Sequence, residues 1–288
     1  MKTLISQGLN QSKLDNNRPL KIGFVGAGPD VGLTELSSCF AIWLSEKYFF
    51  NYKNPSVAFF QLAPLEDHNR NFFAQYNLGR YIEKYDFVDI FANFLIDKTS
   101  KYESSFKINK YPNACLGVNW FVPGYNFYSL TNDMGCIAEH KRFNDNIYRT
   151  SSQLFSDDEI SVVIYNIGRG LSKEAILNDM DVLIAVSSAS RNYLEDAYED
   201  VNIIESFRSN GGSFLWIVNG YTKGLQKSFF RKKLRGGNIQ FLNSIEAEFL
   251  IDCKYNRLFL CEDNDIKPVL WEFYNSIFKN FEKLNFRS

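Results

Sequence analysis

Short, continuously apolar runs punctuate the chain. They are "KIGFVGA" from Lys21, "VAFFQL" from Val57, "LGVNWFV" from Leu116, "SVVIYNI" from Ser161, "DVLIAVSS" from Asp181 and "SFLWIVNG" from Ser213, with a weaker "IQFL" from Ile239. None alternates apolar with polar. That pattern predicts strands covered on both faces, as in the centre of a parallel sheet. Between the runs the spacing is helical. Leu36, Phe40, Trp43 and Leu44 form one apolar face, and Tyr193, Leu194, Ala197, Val201 and Ile204 form another. Alternating strands and helices predict βαβ units, and hence an α/β fold with a doubly wound, mostly parallel sheet flanked by helices. Residues 1–19 are polar and aperiodic, so a flexible leader is expected there, with one domain over 20–288.

Composition narrows the class. The chain is 45% hydrophobic and 23% charged with a net charge of −1, so no global field favours nucleic acid or an anionic membrane. Five widely spaced cysteines without a C-x-x-C argue against a disulfide framework or zinc site. With only His68 and His140, a histidine-rich metal site is not expected. No apolar stretch is long enough for a signal peptide or a membrane span, which predicts a cytoplasmic protein.

The chemistry concentrates in "GFVGAGPDVGLTEL", residues 23 to 36. A strand runs into glycines and then into a helix, the context in which backbone N–H groups and a helix N-terminus cradle phosphate. Gly28 and Gly32 permit such a path, and Thr34 stands where a Mg²⁺-binding hydroxyl belongs. However, Leu33 replaces the usual lysine, Ala27 replaces the first glycine, and Asp30 adds negative charge. On this stretch alone, a phosphate loop and a glycine turn for strand–helix packing both remain open.

Wider features resemble the MinD/ParA branch of P-loop ATPases. "GPDVGLT" at 28–34 aligns without a gap to that family's K-G-G-V-G-K-T. "VAFFQLAPLED" matches the strand ending I-D-x-D-P-Q, with its proline at Pro64. "SVVIYNIGRG" matches the Walker B strand and ends in the same glycine, Gly170. "DVLIAVSSASRNYLEDAYEDVNII" and "FLWIVNG" resemble the family's next two strands in order and spacing. The resemblance spans residues 20 to about 245 and implies a MinD/ParA-type P-loop NTPase fold. It also implies ATP or ADP with Mg²⁺ as ligands, held by Gly28, Asp30, Val31, Gly32, Leu33, Thr34 and Glu35. In the family's pattern Thr34 takes the metal and Asn219 the adenine contact.

Several departures from the family touch catalysis. Its signature lysine falls on Gly28 and its Walker lysine on Leu33. The carboxylate that positions water falls on Gln61, the second carboxylate of that strand on Ala63, and the Walker B aspartate on Asn166. Phosphoryl transfer depends on positioning and on neutralising charge at the γ-phosphate. With the charged groups gone, no catalytic residue is assigned, and weak nucleotide binding without turnover is expected. Within the branch the chain resembles the degenerate TadZ/CpaE group of tight-adherence (Flp-type) pilus assembly, without a receiver-like domain. That implies a scaffold or positioning factor with protein partners such as the pilus secretion machinery. It further implies a homodimer and recruitment to the inner face of the membrane or a cell pole. Two alternatives stay open: an active ATPase using substitutes such as Arg169 and Asn166, and a DNA-binding partition module.

Further features have bland readings beside sharper ones. "KGLQKSFFRKKLRGG", residues 223–237, holds six basic residues and no acid; a solvated helix face is expected rather than a nucleic-acid contact. From Ile266 onward, Val269, Leu270, Phe273, Tyr274, Ile277, Phe278, Phe281 and Leu284 form a helical stripe. Its polar face mixes acids and bases, so docking on the sheet is expected over peripheral membrane contact. His68, beside Glu66 and Asp67, reads as a surface loop, and Cys39 as a buried helix residue.

Overall fold

The computed structural model describes residues 19–28, 30–48, 56–62, 114–122, 148, 160–168, 174–189, 207–209, 211–234 and 238–285. The strands are β1 (Leu20–Gly26), β2 (Val57–Gln61), β3 (Ala114–Cys115), β4 (Val118–Phe121), β5 (Val162–Gly168), β6 (Val182–Ser188), β7 (Ser213–Tyr221) and β8 (Asn238–Asn243). They form one eight-stranded sheet in the order β3-β4-β2-β5-β1-β6-β7-β8. Every pairing is parallel except β3 with β4. All seven expected runs are strands. One start differs by more than a residue: Leu116 and Gly117 lie in the β3–β4 turn with φ of 51° and 71°, rather than in β4. Two consecutive left-handed residues suit a two-residue hairpin, whose twist matches that of its strands.

Alternate side chains of each strand enter two separate cores. In β5, Val162 and Ile164 face the first core, while Val163, Tyr165 and Ile167 face the second. The same split occurs in β2, β6 and β7, which is why their sequences are apolar throughout. The first core is covered by helices α1 (Leu33–Tyr48), α4 (Ala247–Asn256) and α5 (Ile266–Asn285), with a 3₁₀ turn at Leu260–Glu262. The second is covered by α2 (Glu174–Asn178) and α3 (Lys227–Lys233). Helices on both faces of a parallel sheet make the fold doubly wound.

Local signals account for the ends of the late helices. Asp263 Oδ1 accepts the backbone N–H of Asp265 (2.8 Å) and Ile266 (3.0 Å), capping α5, and Pro268 falls in its first turn. Helix α4, which the sequence pattern did not predict, ends at Arg257 in left-handed conformation (φ 55°) with Leu258 N–H bonded to Cys253 O.

The stripe on α5 docks against α1 rather than on the sheet itself. Tyr274 and Ile277 are fully buried, and the Tyr274 ring meets Phe40 and Trp43 of α1 at 5.3 and 5.7 Å. Tyr274 O–H donates to Leu36 O at 2.8 Å. Val269, expected in the stripe, is 48% exposed. At about 100° per residue it lies roughly 90° from the stripe's centre. Among its described residues the basic segment is helical over Lys227–Lys233, because residues before Gln226 form turns. The helix expected at Tyr193–Ile204, the leader 1–18, Ala63, Pro64, His68, Arg169, Gly170, residues 235–237 and the side chains of Phe281 and Leu284 lie outside the described residues. Among the described residues no helix is long and apolar enough to cross a membrane.

Candidate nucleotide site

The loop after β1 lies at the carboxyl end of the central strands, where open α/β sheets place their ligands. Ala27 N–H still bonds Val186 O of β6 at 2.8 Å, so the chain leaves the sheet only after that residue. Gly28 and Val31 are buried, while Asp30 is exposed. Two residues of the loop are left-handed: Asp30 at φ 52° and Gly32 at φ 79°. Asp30 occupies a position that is glycine in the family pattern, and aspartate is among the few side chains that tolerate this backbone. A Cβ at Gly32 would lie 2.5 Å from Asn219 Nδ2, so any side chain there would displace the asparagine.

The first helical bond of α1 runs from Leu36 N–H to Gly32 O at 3.0 Å. The N–H groups of Leu33, Thr34 and Glu35 therefore have no carbonyl within the helix, which is the donor set an anion uses. Among the described residues, the loop and first turn of α1 hold no lysine or arginine. Leu33 is half-buried against the first core. Its Cδ2 lies 3.4 Å from where a Cβ on Gly26 would be, so it folds back over the end of β1. Asp30 and Glu35 add two carboxylates to the loop and first turn.

Asn166 decides the chemistry at the Walker B position. It is 2% exposed. Its Oδ1 accepts Gly168 N–H and its Nδ2 donates to Thr34 Oγ1, both at 3.2 Å. The Gly168 N–H can only be met by an oxygen, which fixes the amide's orientation and points its NH₂ at the threonine. Thr34 thus accepts a hydrogen bond where a metal-binding threonine would offer its lone pair. Gln61 pairs with Asn166 in the β2–β5 register, and its Oε1 is buried without a hydrogen-bond partner. The N–H groups at the start of α1 are the only part of the arrangement, among the described residues, that suits a phosphate. The metal position has a neutral amide where a carboxylate would be needed, so the donor set does not fit a Mg²⁺-bound triphosphate.

Asn219, at the end of β7, does something its sequence position did not reveal. Its Nδ2 donates to Val31 O at 3.0 Å and its Oδ1 accepts Gly220 N–H at 2.9 Å. It ties the loop to a strand 188 residues away in sequence. Ser37 and Ser38 also escaped the sequence reading. Both are fully buried and donate to Thr34 O, bracing the first turn of α1. Serines at these positions of a helix carry no local signal beyond the motif itself.

The fold is that of MinD/ParA-type P-loop NTPases, a parallel sheet of seven strands flanked by helices with one short antiparallel strand added. Solved structures with this architecture cover nearly the whole chain. MinD from Pyrococcus horikoshii, complexed with Mg-ADP, superposes with a TM-score of 0.60 at 12% identity, over 92% of this chain and 97% of its own. MinD from Aquifex aeolicus gives 0.58 at 14% identity, over 90% and 96%. A putative plasmid partition protein from Borrelia burgdorferi, bound to AMPPNP, gives 0.57 at 16% identity, over 91% and 99%. No family model matches the sequence, and no curated protein matches it.

Proposed function

We propose that this chain is a pseudo-ATPase of MinD/ParA type that acts as a scaffold or positioning factor. One observation carries the reading: the Asn166 amide, oriented by Gly168, donates to Thr34 where a carboxylate would organise metal and water. Leu33, folded onto the core, removes the cation that would neutralise the γ-phosphate. Losing one electrostatic contact of this kind costs roughly 10²–10³ in rate. Losing several together leaves no route to turnover at the described residues. Binding is less affected. The N–H groups at the start of α1 can still meet a phosphate, so ATP or ADP binds weakly. Each missing charged hydrogen bond forfeits about 1.5–3 kcal/mol.

The neighbours of this fold are described as a cell-division protein, as a complex of MinC with MinD and as a partition protein. A positioning role with protein partners is in keeping with them. The motif resemblance to the TadZ/CpaE group makes tight-adherence pilus assembly the cellular setting we favour. Homodimerisation and recruitment to the membrane or a pole belong to the same proposal.

Calorimetry with Mg²⁺ and ATP, paired with a phosphate-release assay, tests it. Weak or no binding and no turnover are expected. The double substitution Leu33→Lys with Asn166→Asp should raise nucleotide affinity by about tenfold or more. A steady hydrolysis rate that Thr34→Ala abolishes would refute the pseudoenzyme reading.

A further inference from the structure

We propose that the β8 edge and the basic helix over it form a docking site for an extended, acidic segment of a partner protein, added to the sheet as a further strand. The inference is independent of nucleotide chemistry. Strand β8 has, among the described residues, β7 as its sole neighbour in the sheet. Among the described residues, no hydrogen bond is made by the outward backbone groups of Asn238–Asn243. The strand "NIQFLN" carries no charge and no proline. Exposed edges are normally guarded by charged side chains, prolines, bulges or a covering element. This one has none of those guards on the strand itself.

Charge is placed beside the edge instead. Helix α3 lies over β8 on the second face: Phe230 meets the Phe241 ring at 5.7 Å, and Lys227 Nζ is 5.0 Å from that ring's centroid. Lys223, Lys227, Arg231 and Lys232 are exposed, and none makes an ion pair with a described residue. Leu225 and Phe229, at 38% and 40% exposure, add apolar surface to the same stretch. A segment laid along β8 would gain main-chain hydrogen bonds, and its alternate side chains would project on the α3 side. Carboxylates there complement the unneutralised cations.

The same charges argue against a second copy as the occupant. Antiparallel pairing of two β8 strands about a two-fold axis keeps corresponding faces together, which brings the two α3 helices to one side. Like charges would then meet across the join. Duplex DNA can satisfy the cations but has no strand edge to pair with β8.

The full-length protein and a short fluorescent peptide alternating glutamate with valine test the proposal by anisotropy. Saturable binding is expected. It should weaken by about tenfold or more in Arg231→Glu/Lys232→Glu, whose exposed side chains can change without harm to the fold. It should vanish when alternate peptide nitrogens are methylated, since such a peptide keeps its charge but cannot pair along an edge. No binding, or equal binding of the methylated peptide, overturns strand addition. Tighter binding of duplex DNA or phosphatidylglycerol vesicles with the same Arg231 and Lys232 dependence overturns the peptide as occupant. A dimer in sedimentation that excludes the peptide overturns it in favour of a second copy.

Discussion

Gly32→Ala probes the loop most directly, because two separable costs meet at that residue. The first is backbone strain: at φ 79° an added Cβ costs about 1–2 kcal/mol. The second is steric, since the new Cβ would lie 2.5 Å from Asn219 Nδ2. The asparagine must move, and its 3.0 Å bond to Val31 O is then lost. A hydrogen bond of this kind is worth roughly 0.5–1.5 kcal/mol. Together the substitution should destabilise by about 2–3 kcal/mol, or roughly 4–10 °C in Tm for a domain of this size. The double-mutant cycle with Asn219→Ala separates the costs. In the Asn219→Ala background only the backbone strain remains, so the coupling between the two sites should be near 1 kcal/mol. Urea denaturation of the four proteins supplies the cycle. Equal costs in both backgrounds would sink the idea that Asn219 clamps the loop through Gly32.

Other outcomes follow from the first core and the α5 contact. Burial pushes the Cys253 thiol from 9.0 up to about 11, and also raises Cys261 and Tyr274 well above their ordinary values. These groups keep their protons longer in the folded state, so each stabilises fully at pH values where the unfolded chain is still protonated. For Cys253 that contribution is intact below about pH 9 and lost between about pH 9 and 11, as the unfolded chain releases protons first. Tm measured across that window should fall, with a shallower fall in Cys253→Ala; a Tm that rises would contradict the burial argument. Tyr274→Phe removes the bond to Leu36 O but leaves that carbonyl its helix partner, so a loss of about 0.5–1.5 kcal/mol is expected in urea. Asp179→Ala takes a carboxylate from the largely buried Lys21 Nζ, 2.5 Å away; because Asp179 itself is 46% exposed, a destabilisation of about 1 kcal/mol is expected. A negligible change by thermal melt would contradict a stabilising role for this pair.

The strands of the sheet were legible because burial on both faces forces continuous apolar runs, and α1 was legible because its stripe and glycine loop are local. Helix α4 was not. It buries little besides Cys253 and exposes Leu250, Ile251 and Tyr255, so no clear stripe marks it. Leu116 reads as part of a strand because an apolar residue in a left-handed turn looks like any other apolar residue. The absence of charge at Leu33, Gln61 and Asn166 could be read directly from residue type, since a missing lysine or carboxylate is a property of the sequence itself.

How those neutral residues are used was a different matter. The sequence by itself determined which charges the loop lacks, which strands run through the core and where the glycine loop opens α1. Only the tertiary structure decided that Asn166 turns its NH₂ toward Thr34, that Asn219 holds the loop and that the α5 stripe packs on α1. Each of these is a contact between residues more than a hundred positions apart. Hydrogen-bond direction and side-chain docking depend on which groups the fold brings within about 3 Å, and no local pattern along a chain encodes that.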